Sequence, residues 1–260
     1  MTPAEAYEQF LVPAIFKPWA DAVLRTHPPA YGASVLDVAC GTGIGARLAA
    51  RAIGRSGLVL GLDSDEGMLA IARALGASPE GASIEWCRGD ALMMPFGDKH
   101  LDYLLCLEGI QFFPDRAAGL REMRRVLRPG GRLVATIWAA IEENPAYHAL
   151  ADGLRTFVSP DAALLPPFAF TDREVIEASV MAAGFTEVTV NVEVLRFSAP
   201  SAGALVEWIA AGGPTVRHNL ALLADDRRQE FHRFVATRLA SYETRDGLLL
   251  PSTRNVVVAR

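Results

Sequence analysis

The chain has 260 residues, of which 51% are hydrophobic and 21% charged, the composition of a globular protein. No run approaches the roughly 18 consecutive apolar residues that a membrane-spanning helix needs, and we expect no signal peptide. The net charge of −5 and the scattered Lys and Arg side chains give no continuous basic surface for nucleic acid. We therefore expect a cytoplasmic protein that has neither a membrane nor a nucleic acid as partner.

Residues 34–139 alternate short apolar runs with helical patterns, which predicts parallel strands joined by crossover helices. The predicted strands are VLDVA (35–39), LVLGLD (58–63), SIEWC (83–87), YLLCL (103–107) and RLVATIW (132–138), and the predicted helices lie near 44–53, 65–76 and 116–127. Asp115 is expected to be the N-cap of the last helix. The sequence Pro129-Gly130-Gly131 is expected to stop that helix and to form the turn into the next strand.

Beyond residue 139 this tight alternation ends. Helical patterns near 144–157, 172–183, 201–211 and 217–243 accompany strand patterns at 186–197 and from Asn255. The predicted organisation is an N-terminal helical cover (1–33), a cofactor-binding α/β core (34–139) and a final region (140–260) with core strands near 186–197 and 255–259. Helices near 140–170 and 198–246 are expected to cover the carboxyl edge of the strands, where open α/β sheets bind ligands.

A glycine-rich turn follows the first predicted strand and opens a helix, in the sequence VLDVACGTGIGARLA. Gly41 and Gly43 allow a sharp turn and a close approach of ligand to backbone, while the helix presents unpaired N–H groups. Asp63 ends the second strand, where an acid can accept hydrogen bonds from both ribose hydroxyls of an adenosine. This arrangement predicts a nucleoside cofactor at the turn.

The details distinguish this turn from that of a nicotinamide- or flavin-binding protein. The dinucleotide fingerprint is GxGxxG, whereas here Gly41, Gly43 and Gly45 alternate and Asp37 lies just upstream. A carboxylate at that point disfavours a pyrophosphate and suits a cationic amino group. A ligand made of adenosine and methionine satisfies both ends of the site.

Four segments occur in an order that resembles the successive motifs of class I S-adenosylmethionine-dependent methyltransferases. They are VLDVACGTG, GLDSDEGML, RGDALMMPF and REMRRVLRPGGRL, and the resemblance covers residues 34–139. The sequence is most similar to the small-molecule group that includes ubiquinone and menaquinone biosynthesis enzymes. The resemblance implies a Rossmann-like α/β fold, with a seven-stranded, mostly parallel sheet whose last strand is antiparallel and with S-adenosyl-L-methionine as cofactor.

The resemblance also implies which residues hold the cofactor. It places Asp37, Ala39, Gly41 and Gly43 around the methionine part, Asp63 and Met68 at the ribose, Asp90 and Ala91 at the adenine, and Leu107 at the sulfonium. Ser64 and Gly89, which are neighbours of these residues, complete the set, and Tyr7 is expected to reach the methionine end. For Asp37, Met68 and Asp90 the alternatives are a turn cap, a core residue and a solvated loop acid.

Methyl transfer from a sulfonium is an in-line displacement in which alignment supplies much of the rate. A general base is needed only where the acceptor must lose a proton. Glu108, directly after the fourth strand, is a candidate, although similar enzymes carry an amide or a small residue nearby. Gln111 is a candidate for orienting substrate or cofactor. His148 is a third candidate, whose alternative is a surface or structural role.

No metal site is expected, since Cys40, Cys87 and Cys106 lack metal-ligand spacing. Aromatic residues in the predicted cover favour an apolar or aromatic acceptor, although they can also fasten the cover to the sheet. They are Tyr7, Phe10, Phe16, Trp19, Phe112, Phe113, Trp138, Phe168 and Phe170.

The leading hypothesis is transfer of a methyl group to oxygen or carbon of a quinone or a specialised metabolite. The alternatives are a non-methylating reaction on the same fold, a regulatory protein that binds the cofactor, and, disfavoured by its glycine spacing, a nicotinamide-dependent oxidoreductase. An apolar stripe on the predicted helix 217–243 also allows a homodimer.

Overall fold

The structure is a computed structural model that describes residues 1–163 and 165–260. Its strands are β1 Ser34–Val38, β2 Leu58–Asp63, β3 Ser83–Arg88, β4 Leu101–Leu107, β5 Leu127–Trp138, β6 Thr189–Ala199, β7 Glu243–Thr244 and β8 Gly247–Ala259. They form one sheet in the order β3-β2-β1-β4-β5-β8-β6, with β7 paired to β8. The first five strands pair in parallel and β8 runs antiparallel to β5. This arrangement confirms the predicted α/β fold.

The sheet has eight strands, whereas the resemblance implies seven. The additional strand, β7, forms a hairpin with the start of β8. Arg245 and Asp246 form the turn, and Gly247, which follows it, has φ of 115°. β8 itself begins at Gly247 instead of Asn255. The sequence pattern conceals this extension because Ser252, Thr253 and Arg254 are polar residues that the strand buries.

The predicted turn at Pro129-Gly130-Gly131 is wrong, because these residues lie within β5. The preceding helix ends at Val126, and the next residue, Leu127, already pairs with Leu101 of β4. The register then shifts between Leu101 and Tyr103. Gly130 has φ of 77°, which glycine adopts without strain. The glycines therefore form an irregularity inside the strand instead of a connection.

The helices are α1 Pro3–Ala6, α2 Lys17–Thr26, α3 Ile44–Ile53, α4 Glu66–Leu75, α5 Arg116–Val126, α6 Pro145–Phe157, α7 Arg173–Ala182, α8 Ala202–Gly212, α9 Pro214–Ala221 and α10 Asp225–Leu239. A π-helical segment, Tyr7–Phe16, connects α1 to α2. The expected N-cap of α5 is confirmed, since Asp115 Oδ1 accepts the N–H of Ala118 at 2.9 Å.

The prediction of one helix over 217–243 is wrong, because the chain forms α9 and α10 with a break at 222–224. Arg228 explains how the break is tolerated without Gly or Pro. Its guanidinium donates to the carbonyls of Leu220 and Leu223 at 3.2 and 3.4 Å, and so satisfies carbonyls that the end of α9 leaves open. Asp225 and Asp226 in the first turn of α10 favour a new helix N-terminus there.

The chain divides into two compact units. The first comprises Met1–Phe16, Ala139–Ala169 and Val194–Thr253, and the second comprises Lys17–Trp138, Phe170–Glu193 and Arg254–Arg260. In the first unit α10 packs on α6, and the ring of Phe231 lies against Gly153. A Cβ at Gly153 would collide with that ring. Phe231, Val235 and Leu239 are buried, so the apolar stripe considered for a dimer serves packing within the chain.

In the second unit successive residues of β1 and β4 face opposite sides of the sheet. Leu36, Val38, Leu104 and Cys106 belong to the buried core that includes α5 and α7 residues. Asp37 and Leu105 face α3 on the other side, where both lie close to Gly45. Within the described ranges, no helix is long and apolar enough to span a bilayer.

We predict that Asp115→Ala lowers the free energy of unfolding by about 1 kcal/mol, because the N–H of Ala118 loses its acceptor. Urea denaturation followed by circular dichroism measures the change. Asp115→Ser is the matched control and should retain most of the stability, since serine is also a good N-cap. Equal stability of the Ala variant and the unsubstituted chain would contradict the capping role.

Candidate functional site

The glycine-rich turn links the end of β1 to the start of α3. Ala39, Gly41 and Gly43 have φ values of 55°, 55° and 85°, all in the left-handed region. A Cβ at Gly43 would lie 2.3 Å from the ring of Trp86, so both the backbone angle and the close ring require glycine there. Gly43 also precedes α3 and provides no side-chain cap, while the N–H of Ala46 in the first turn of the helix bonds Asp37.

Asp63 connects this turn to the loops that follow β2 and β3. Its Oδ2 accepts the N–H of Gly41 at 2.7 Å, and its Oδ1 accepts the N–H of Asp65 at 2.9 Å. Its main-chain carbonyl accepts the N–H of Gly89 at 3.0 Å. Burial raises the pKa of Asp63, and the N–H groups of Asp65 and Gly41 limit the rise. Each carboxylate oxygen can accept a further bond, so the group can still receive ribose hydroxyls.

Asp37 is a buried carboxylate beneath the same turn. A Cβ at Gly45 would lie 2.8 Å from its Oδ2, so glycine allows α3 to approach the acid closely. Within the described residues this Oδ2 has no hydrogen-bond partner. Burial raises the pKa of Asp37 to about 7, and the nearby charges of Asp63 and Glu108 add to the rise. A buried carboxylate oxygen without a donor fits a site that receives a cationic ligand.

Other predicted cofactor residues follow the ends of β2, β3 and β4. Ser64 and Asp90 are exposed, while Met68, Gly89, Ala91 and Leu107 are half-buried. Asp90 Oδ1 accepts the N–H of Leu92 at 2.8 Å, which shapes the loop after β3. Because the carboxyl ends of parallel strands meet at one edge of a sheet, these residues share an edge with the glycine-rich turn.

Glu108 follows β4 at once and has φ of 52°, an unusual angle for a residue with a long side chain. Its Oε1 accepts the Oγ1 hydroxyl of Thr136 and the Nε of Arg254, each at 2.9 Å. Burial raises the pKa of Glu108, while the Arg254 cation opposes that rise. Because Thr136 and Arg254 both donate to one oxygen of this carboxylate, the geometry favours an electrostatic role.

Gln111 lies in the short 3₁₀ turn after β4 and is 2% exposed. Neither its Oε1 nor its Nε2 has a hydrogen-bond partner within the described residues. A buried amide without partners is costly, and a ligand with a donor and an acceptor would satisfy it. This observation supports the predicted orienting role of Gln111.

Tyr7 and His148 lie in the first unit, whereas the other predicted site residues lie in the second. The Tyr7 ring stacks on Phe16, with centroids 4.9 Å apart. The His148 side chain is 40% exposed, and its Nε2 lies 3.9 Å from a carboxylate oxygen of Asp152. Arg155 and Arg238 share that carboxylate, so the alternative of a surface role fits His148 better than that of a base.

The aromatic residues serve several purposes. Phe113 and Phe170 belong to the hydrophobic core, and Phe112 is 54% exposed. In the first unit Phe10 stacks on Trp208 and Tyr147 packs on Phe168. Aromatic content alone therefore does not define an acceptor site.

A cavity of about 530 Å³ lies at the opposite edge of the sheet. Its walls are residues 28–33 before β1, Asp102 and Tyr103 at the start of β4, and Arg128, Gly130 and Arg132 early in β5. It includes none of the predicted site residues. Among the residues that the structure describes, no cluster of three or more His, Cys, Asp or Glu side chains has the geometry of a metal site.

Comparisons with known proteins agree with the geometry of the turn. Residues 35–131 match a family described as a methyltransferase domain. The chain is 30% identical to the demethylmenaquinone methyltransferase of Staphylococcus epidermidis over 188 residues, 67% of this chain and 77% of that protein. The chain belongs to the class I S-adenosylmethionine-dependent methyltransferases of the menaquinone-biosynthesis type.

Two further methyltransferase matches show the extent of the likeness. The demethylmenaquinone methyltransferase of Bacillus subtilis is 38% identical over 118 residues, which are 45% of this chain and 51% of that protein. The chain thus spans about half the length of the first curated relatives that it matches. A candidate methyltransferase structure from Bacillus halodurans has a TM-score of 0.61 at 20% identity, with 93% of this chain and 97% of that one covered, and shows the shared fold.

The residues of this methyltransferase site fit S-adenosylmethionine. Asp37 and Thr42 each have a buried oxygen without a partner in the described part of the chain, beside the left-handed turn. Asp63 has capacity for hydroxyl donors at the end of β2. The cofactor's ammonium and ribose hydroxyl groups match these acceptors.

Sequence reasoning misses the surroundings of Glu108. Arg254 of β8 is fully buried, with its guanidinium carbon 3.0 Å from the ring centroid of Trp138 and 5.3 Å from that of Trp19. The hydroxyl of Thr136 also donates to Glu108. One signal was present in the sequence, namely a charged residue immediately before the apolar run NVVVA.

We predict that Asp37→Asn stabilises the protein by on the order of a few kcal/mol at pH 8. Burial raises the pKa of Asp37 in the folded protein to about 7, from the ordinary aspartate value of 3.8. Ionisation of Asp37 in the folded state is therefore unfavourable, and stability falls as the pH rises from about 4 through about 7.

Urea denaturation at pH 4.5 and at pH 8 tests this expectation. The Asn variant should gain more stability at pH 8 than at pH 4.5. Asp161→Asn, at an exposed carboxylate, is the control and should show no comparable difference. A gain for Asp37→Asn that does not depend on pH would argue against the raised pKa.

Proposed function

We propose that the protein transfers a methyl group from S-adenosylmethionine to oxygen or carbon of a small, apolar or aromatic acceptor. The observation that carries the proposal is the hydrogen bond that the N–H of Gly41 donates to Asp63, beside the buried carboxylate of Asp37. In a chain of this methyltransferase family, that arrangement provides the acceptors for the cofactor's polar groups.

In this proposal each end of the cofactor has its own residues. Asp37, Ala39, Gly41 and Gly43 hold the methionine part, with Tyr7 at the same end. Asp63, Ser64 and Met68 hold the ribose, Gly89, Asp90 and Ala91 hold the adenine, and Leu107 faces the sulfonium. Left-handed backbone at the turn brings main-chain N–H groups to the ligand without side chains between them.

When bound, S-adenosylmethionine supplies an electrophilic methyl group on a positively charged sulfur. The chain's own contribution is to align the acceptor with that methyl group and to exclude water. Gln111 offers a buried donor and acceptor with which to orient the acceptor. Glu108 is held by Thr136 and Arg254, so proton removal from the acceptor is not assigned to it.

A quinone-type or phenolic acceptor is our first choice because two relatives are demethylmenaquinone methyltransferases. We also propose a cytoplasmic location, since Cys40, Cys87 and Cys106 are free thiols.

We predict that Asp63→Ala weakens S-adenosylmethionine binding by on the order of 1.5–3 kcal/mol, roughly tenfold to more than a hundredfold. Calorimetry with the purified protein measures the change. Asp65→Ala is the control, because Asp65 caps α4 next to the site and is not assigned to the cofactor. Unchanged affinity in Asp63→Ala would rule out the ribose assignment.

A direct test uses the unsubstituted protein with S-adenosylmethionine, S-adenosylhomocysteine and NAD as separate ligands. We expect micromolar binding of the two adenosyl ligands and none of NAD. Reduced quinones and phenols are then screened by mass spectrometry for the gain of one CH₂. Turnover of an acceptor without that gain would favour a non-methylating reaction, and binding without turnover of any acceptor would favour a regulatory protein.

A further inference from the structure

Buried charge is concentrated at one edge of the sheet. Among the described residues, the charged side chains classed as buried are Asp37, Glu108 and Arg254. Arg254 is 0% exposed, and the Glu108 side chain is 6% exposed. All three lie in the second unit: Asp37 near the end of β1, Glu108 directly after β4, and Arg254 inside β8, opposite the last residue of β5.

The cation of Arg254 is held on several sides. Its Nε donates to Glu108 Oε1 at 2.9 Å, and its guanidinium lies over the rings of Trp138 and Trp19. The pairing of β5 with β8 places Arg254 opposite Trp138. The indole faces and the carboxylate therefore fix the guanidinium in one position.

This pair adjoins the glycine-rich turn. The N–H of Glu108 donates to the carbonyl of Thr136 at 2.9 Å, which continues the pairing of β4 with β5. The next residue is Gly109, where a Cβ would lie 2.8 Å from the Cβ of Ala39. Burial raises the pKa of Asp37 and the charge of Glu108 adds to the rise, so the two carboxylates act on each other electrostatically.

A buried ion pair needs a reason other than stability. Moving both charges out of water costs about as much as their attraction returns, and apolar residues of similar size often serve as well. Removal of one partner is much worse, because it leaves a lone charge in the interior. The pair is thus suited to holding two opposite charges in fixed positions at the end of β4.

We propose that Glu108 keeps the buried Arg254 cation from biasing the site against the positively charged sulfonium of S-adenosylmethionine relative to the neutral thioether of S-adenosylhomocysteine. This inference rests on the proposed cofactor. Glu108 cancels the guanidinium charge that would otherwise repel the sulfonium, and Arg254 holds the carboxylate in place as a fixed anion. Arg254 acts through Glu108 and is a positioning residue.

The test is the ratio of the dissociation constant for S-adenosylmethionine to that for S-adenosylhomocysteine, measured by calorimetry on the full chain. Glu108→Gln removes the carboxylate that faces the Arg254 cation, so the ratio should rise by about tenfold. The double variant Glu108→Gln with Arg254→Met removes both charges and should return the ratio to within about threefold of the original. Arg254→Met alone should leave the ratio at or below its original value.

Thr136→Val is the matched control. It removes one hydrogen bond to Glu108 without a change of charge, so both ligands should weaken alike and the ratio should stay constant. If Glu108→Gln does not fold, Arg254→Met is compared with the double variant. Arg254→Met keeps the Glu108 carboxylate, so its ratio should be no higher than that of the double variant.

Equal loss of both ligands in Glu108→Gln, or a double variant that keeps the altered ratio of the single one, would show a merely structural pair and overturn the inference. Binding of neither ligand by the unsubstituted protein would overturn the proposed cofactor as well. The unsubstituted protein thus distinguishes failure of the inference from failure of the proposed function.

Discussion

The hydrogen bond from the N–H of Gly41 to Asp63 connects the elements on which the candidate site depends. It joins the turn after β1 to the end of β2, and the same residue receives the N–H groups of Asp65 and Gly89. Three consecutive loops of the parallel sheet are therefore held by one residue. The bonds from Gly41 and Asp65 go to an ionisable carboxyl group, and hydrogen bonds to a charged acceptor are stronger than those between neutral groups.

The core of the fold could be predicted because its signals are local. Parallel strands buried on both faces give continuous apolar runs, and residues 58–63 form a strand with the predicted bounds. Asp115 as a helix cap follows from the same kind of local chemistry. The predictions of secondary structure are wrong where tertiary contacts determine the structure. Arg228 donates to the carbonyls at the break between α9 and α10. The break itself contains no Gly or Pro from which it could be predicted.

The site was predictable only in part, for a related reason. The glycines and Asp63 lie within a single strand–turn–helix–strand unit, so their spacing carries the information. Glu108 and Arg254 are 146 positions apart, and their contact depends on the antiparallel return of β8 beside β5. Sequence alone shows Glu108 as an acid after a strand and as a candidate base. The structure shows that the Arg254 cation pairs with its carboxylate.

The proposed methyl transfer is compatible with a site that buries charge. In that reaction the sulfonium is already activated, so the protein has to supply alignment and a favourable electrostatic environment. Burial raises the pKa of Asp37 to about 7, which means that ionisation of this carboxyl is unfavourable. A cationic ligand would relieve that cost, and binding would then favour the ionised acid. The same buried carboxylate that weakens the fold would thus strengthen the hold on the cofactor.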